Sequence, residues 1–228
     1  MRGCACGDRD GVSSPELGVA HVSCLAEQAK ILVAEAVKNN LGAKEEDARW
    51  CRWNTCSLCE QSYHGVVECA LGWACWETYL GQPEEHWTRG MTMTLLENGL
   101  SDAKHYEDAL IVREARLSLA RRLGASEHVI LVAQSNIAGT YQSLGWLQEA
   151  LRVRQDVHYG TLKLLGEEHI DTLRAASNYV LSLLNLRRNA GRRRACRPRR
   201  GRVGGPLRWR LRRKSGCLGG RQGGRGRR

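Results

Sequence analysis

"WLQEALRVRQDVHYGTLKLLGEEH", residues 146–169, decides the fold, because residues 105–127, "HYEDALIVREARLSLARRLGASE", superpose on it with a shift of 41 or 42 positions. Ala109 falls on Ala150, Leu110 on Leu151, Arg113 on Arg154 and Gly124 on Gly166. Each copy is preceded by another helix-like segment, "WTRGMTMTLLENGLSDA" and "VILVAQSNIAGTYQSLG". A third copy of that first element begins at "TLRAASNYVLSLLNLRR", with Asn178 lying 42 residues after Asn136. Self-similarity at a fixed period of this size marks stacked units, none of which can bury its apolar face alone. The expected unit is a pair of antiparallel helices.

Each helix carries the marks it needs. Leu131, Ala138, Tyr141 and Leu144 recur near helical spacing, and Leu147, Ala150 and Leu151 do so on the partner. Ala109, Ala138 and Ala150 are small enough to let helix backbones approach one another. Ser126 fits an N-cap and Gly166 a C-cap or tight turn. Pro83, followed by Glu84 and Glu85, reads as a helix start, with acids at the positive end of the helix dipole.

With its forty-two-residue period, "EALRVRQDVHYGTLKLLGEEHIDTL" resembles tetratricopeptide repeats, and within them the kinesin-light-chain subfamily, over about residues 91–188. The resemblance implies an array of about two and a half helix pairs across residues 83–188 that binds a protein or peptide on its concave face. Most of the repeat pattern is core packing. The contact candidates are the polar positions on the inner helices, Asn136 and Asn178.

The third repeat supplies its first helix up to Arg188, and arginine and glycine then replace the second helix that the period calls for. An apolar stripe on residues 172–188 is therefore expected to lie uncovered, since repeats draw stability from their neighbours. Residues 189–228 hold 15 Arg and one Lys with no acid, a charge of +16, whereas the first 188 residues hold 19 basic and 24 acidic side chains, a net of −5. With ten glycines and no apolar period, this tail is expected to be disordered. Two readings of it stay open: an arm that neutralises phosphates on RNA or another anionic surface, or the product of a shifted reading frame or read-through in GC-rich DNA.

The amino-terminal part carries candidate metal chemistry. Cys4-x-Cys6, His21-x-x-Cys24 and Cys56-x-x-Cys59 offer six zinc ligands in three pairs. A thiol pair at the last spacing can also form a redox disulfide, but no strand-and-crossover pattern of a thioredoxin-like fold surrounds it. His64, Cys51, Cys69 and Cys75 could act as substitute ligands; Cys69 and Cys75 read better as small apolar residues on a helix with Leu71, Trp73 and Trp76. Between the pairs, Leu25, Ala29, Leu32, Val33, Ala36 and Val37 fall at spacings of three and four, which predicts a helix, and "NNLGAKEEDARW" breaks it.

The stretches "CACGD...VAHVSCL" and "CSLCEQSYH" resemble the RING-CH variant of the RING finger, covering about residues 4–64 and its second, third and fourth ligand pairs. The family's first Cys-x-x-Cys is absent, and two of the spacers are long. Cross-bracing, as the resemblance implies it, assigns Cys4, Cys6, Cys56 and Cys59 to one zinc and leaves His21 and Cys24 as half of a second site. By the same resemblance the module would recruit a ubiquitin-conjugating enzyme, acting without a covalent residue of its own.

Composition bounds the rest. A chain of 228 residues with 42% hydrophobic and 26% charged side chains can build real cores, here from Leu, Val, Ala, Trp and Tyr, because Phe is absent. "MRGCACGDRDG" lacks the apolar core of a secretory signal, and "VVECALGWACW" is too short to span a bilayer. The expectation is a soluble, mostly α protein of a reducing compartment, cytoplasmic, or nuclear if the basic tail is genuine. Its parts would be a small zinc-binding RING-like module (1–64), a Trp-rich connecting helix (65–82), the helix-hairpin array (83–188) and the tail (189–228). Three functions compete: a zinc-binding adaptor that captures a partner, a RING-CH ubiquitin ligase, and an RNA-binding protein.

Overall fold

The computed structural model describes residues 21–195 of the chain. Eight α-helices follow one another: α1 Val22–Lys38, α2 Ala43–Trp50, α3 Gly65–Tyr79, α4 Trp87–Asp102, α5 Tyr106–Arg122, α6 Glu127–Ser143, α7 Leu147–Leu165 and α8 Ile170–Ala195. A single 3-10 turn, Cys51–Trp53, follows α2. Strand-type pairing among the described residues is limited to one isolated bridge, Thr55 with Ser62. The chain is mostly helical, and among the described residues no helix is long and apolar enough to cross a membrane.

From α3 onward each helix packs on the next, and the short turns between them reverse the chain. Their ends follow from local chemistry. Ser126 Oγ accepts from Val129 N–H and opens α6, and Gly166, at φ 83°, closes α7 in a conformation that side chains with a Cβ resist. Its repeat counterpart Gly124 stands at φ 66° in the turn after α5. The small residues Ala109, Ala138 and Ala150 are essentially inaccessible, which is what close helix approach requires.

Two expectations need correction, and a third is refined. Pro83 does not start a helix: residues 83–86 form a turn closed by His86 N–H on the Pro83 carbonyl, and α4 starts at Trp87. His86 stays extended and uses its Nδ1 to accept from Thr88 N–H, so the cap falls there and not at the proline. The segment read as a break does end α1 at Lys38, and it then holds a helix of its own, α2. Asn40 and Gly42 turn the chain at positive φ, and Glu45 and Glu46 then occupy the first turn of α2. Finally, α8 does not end at Arg188 but continues to Ala195, across the start of the stretch expected to be disordered.

The amino-terminal helices and the repeats share one core. Ala29 and Val33 of α1, Trp50, Trp53, Cys75 of α3 and Leu95 of α4 form a single buried cluster. Trp50 packs edge-on against Trp87, with ring centroids 4.9 Å apart. α3 and α4 cross at glycine: a Cβ on Gly99 would lie 2.7 Å from the Cys69 Cα, and one on Gly72 would lie 3.0 Å from the Leu95 carbonyl oxygen.

Candidate functional site

Residues 54–63 form a knuckle around the Cys-x-x-Cys pair. Cys56 N–H donates to the Gln61 carbonyl at 2.9 Å, Glu60 N–H to the Cys56 carbonyl at 3.0 Å, and Tyr63 N–H to the Asn54 carbonyl at 2.9 Å. Glu60 takes a positive φ of 57° to close the turn. Leu58 N–H points at Cys56 Sγ, 3.5 Å away, a donor aimed where a thiolate would carry its charge. Cys56 is buried with Tyr63, Val67 and Leu71, and Cys59, Val22, Leu25 and Ala26 pack against that cluster. The start of α1 thus leans on the knuckle.

The proposed ligands are not all brought together. Cys4 and Cys6 lie outside the described residues. His21 precedes α1 and Cys24 sits in its first turn, both exposed. Among the described residues they join no group of three metal-ligating atoms with Cys56 and Cys59. Among the described residues, Cys56 and Cys59 are therefore two thiols on a hydrogen-bonded knuckle, two fewer than the four donors of a structural zinc site. The substitute ligands fare differently. Cys75 is fully buried, and burial pushes its thiol far above the usual range; the Cys69 thiol is raised by burial, then by Asp108 and Glu68. Neither environment favours the thiolate that a metal needs.

A second candidate site lies in the repeats. His128, Leu131, Val132, Ser135 and Asn136 of α6, Val157 and Thr161 of α7, and Asp171, Arg174, Ala175 and Asn178 of α8 line one cleft. Asp171 accepts from Arg174 at 2.9 Å and stands 3.1 Å from His128 Nε2, which fixes charge at the cleft mouth. Asn136 and Asn178, repeat equivalents, face the same space. Neither side-chain amide has a hydrogen-bond partner among the described residues, although the Asn136 carbonyl accepts from Arg113 and Thr140.

Residues missed by the sequence reading sit behind this face. Glu97 of α4 has no exposed side-chain surface and is gripped by Arg116 through two bonds of 2.9 Å, with Arg113 Nε 3.7 Å from Oε1. Arg113 also donates to Thr140 Oγ1 and to the Asn136 carbonyl. Its repeat equivalent Arg154 is also buried, but no acid faces it and its Nε lacks a partner among the described residues. The signal was present in the alignment of the repeats: Glu97, moved by the 41-residue shift, falls on Ala138. The sequence matches no family model and no curated protein.

Proposed function

We propose that the protein is a zinc-binding interaction adaptor, a RING-CH-like module fused to tetratricopeptide-like repeats that capture a protein or peptide partner. The observation that carries it is the pair of repeat-equivalent amides, Asn136 and Asn178, left unpartnered in one cleft. A carboxamide presents both a donor and an acceptor, so two of them one repeat apart suit the backbone of an extended peptide. Asp171, Arg174 and His128 at the mouth would set its register. The zinc that the resemblance implies would take Cys56 and Cys59 with Cys4 and Cys6, supplying a closed structural cross-link and no open position for chemistry. The knuckle supports this by holding Cys56 against a backbone N–H.

Peptides selected from a displayed random library on the immobilised chain test the cleft. Their affinity is expected to fall about tenfold or more, ~1.4 kcal/mol, in an Asn136→Ala/Asn178→Ala variant with an unchanged melting temperature. Selected peptides indifferent to both asparagines would remove this reading. Ubiquitin ligase activity is the second reading, since the same knuckle belongs to the module that the RING-CH resemblance identifies. It requires autoubiquitination in a reconstituted reaction that Cys56→Ser abolishes. The RNA reading of the tail rests on residues that lie almost wholly outside those described.

A further inference from the structure

A cluster that neither the zinc pairs nor the peptide cleft uses sits where α3 meets α4. His64 precedes α3, Glu68 lies one turn further along the same face, and Asp102 ends α4. One ligand atom from each, an imidazole nitrogen and two carboxylate oxygens, lies within 4.8 Å of the other two. We propose that His64, Glu68 and Asp102 form a divalent cation site of the Mn2+ or Zn2+ class, separate from the cysteine pairs, which ties α3 to α4.

Three features of the surroundings argue for a cation. The first is a pair of adjoining carboxylates: among the described residues no Lys or Arg pairs with Glu68 or Asp102, which only His64 and the N-terminal end of α3 offset, and Asp108 lies near enough to act on the adjoining Cys69 thiol. Arg113 reaches the same groove, but its guanidinium is committed to Glu97 and Thr140. The second is orientation. Gly65 N–H donates to Asp102 Oδ2 and holds that carboxylate beside Glu68, close enough for the two carboxyls to share a proton that a cation would displace, while the C-terminal end of α4 adds its own negative potential. The third is access: Glu68 and Asp102 border an open polar groove with Asn98, Ser101 and Tyr106, so an ion held by three protein donors keeps positions for water or a ligand there. One imidazole with two carboxylates suits Mn2+ or Zn2+, whereas a cysteine pair selects Zn2+ and discriminates against Mn2+.

Manganese therefore separates the two sites. The full chain is titrated with Mn2+ and the free ion followed by electron paramagnetic resonance, beside Glu68→Gln, Asp102→Asn and a Cys56→Ser/Cys59→Ser variant, with folding checked by circular dichroism. The expected result is saturable uptake of about one Mn2+ per chain, weakened about tenfold or more in each carboxamide variant and unchanged in the cysteine variant. Glu68→Gln and Asp102→Asn keep size and shape, and Asn retains an oxygen for Gly65 N–H. No saturable uptake by the folded wild type, or uptake indifferent to both carboxamide substitutions, overturns the site. Loss of uptake in the cysteine variant alone assigns the ion to the knuckle and likewise overturns it.

Discussion

The two equivalent arginines show how one substitution elsewhere changes what a residue contributes. Arg113 and Arg116 neutralise a fully buried Glu97, so Glu97→Ala would strand two desolvated guanidinium groups and is expected to cost about 3–5 kcal/mol in chemical denaturation. Burial lowers the pKa of Arg154 with no acid to offset it, so Arg154→Met should be neutral or stabilising in the same measurement. Equal losses in both variants would refute the contrast. Glu68 gives a pH test. Burial, and then the neighbouring Asp102, raise its carboxyl above the ordinary 4.5, against a smaller pull from His64. The folded protein thus holds that proton to higher pH than the unfolded chain. Stability from this group is present below 4.5 and is lost as pH rises through the folded value. In chelator, Glu68→Gln should raise the melting temperature near neutrality, and the gain should shrink as the pH falls through the folded value and vanish below 4.5.

At the scale of elements, and among the described residues, repeat helices with a neighbour on each side differ from α8, which packs on α7. α6 lies between α5 and α7 and buries Leu131, Ala133, Ile137 and Ala138. α8 packs on α7 and buries Thr172, Ala175 and Ser182, while Leu173, Val180, Leu181 and Leu184 are 42–54% exposed. This stripe was legible beforehand, because the period showed which helix was due after Arg188. Amide hydrogen exchange should be faster along residues 178–190 than across α6, since local opening of α8 uncovers less apolar surface. Equal protection in the two helices would mean that something covers the stripe. The helix pairs, Ser126 and Gly166 were equally legible, being fixed by period and by single-residue conformational preference. The start of α4 was not, because a turn closed by His86 outweighs the preference of Pro83 for a first helical turn. Glu97 was marked only by falling on Ala138 in the repeat alignment, and the His64, Glu68 and Asp102 cluster was not legible. The partners of Glu97 stand on the next helix, α5, and Asp102 reaches Glu68 from the next helix, α4, and no local pattern records which faces meet.

For the molecule as a whole, the decisive contact is the α3–α4 crossing. Composition and motifs suggest a zinc module, a connecting helix and a repeat array in series, yet Leu95 of α4 completes a cluster whose other buried members precede the repeats. Leu96, Leu100 and Ala109 form the adjoining cluster, with Cys69 and Trp76 of α3 packed against it. Arg89 lies over the Trp76 ring at 4.6 Å, adding a cation–π contact across the same seam. α3 therefore acts as the outer cap of the array. Gly99 allows that approach, and Gly99→Ala would drive a methyl into backbone that cannot yield as a side chain can; it should destabilise the whole chain by about 1–3 kcal/mol or more. Truncation tests the same seam on a larger scale. A chain of residues 83–195 would expose Leu95, Leu96 and Leu100, each worth ~1.5–3 kcal/mol when buried, and it should melt well below a chain of residues 65–195 or fail to fold. Thermal melts of the two, followed at the helix band, decide it. Equal melting temperatures would mean that the repeats stand alone and that α3 merely rests on them.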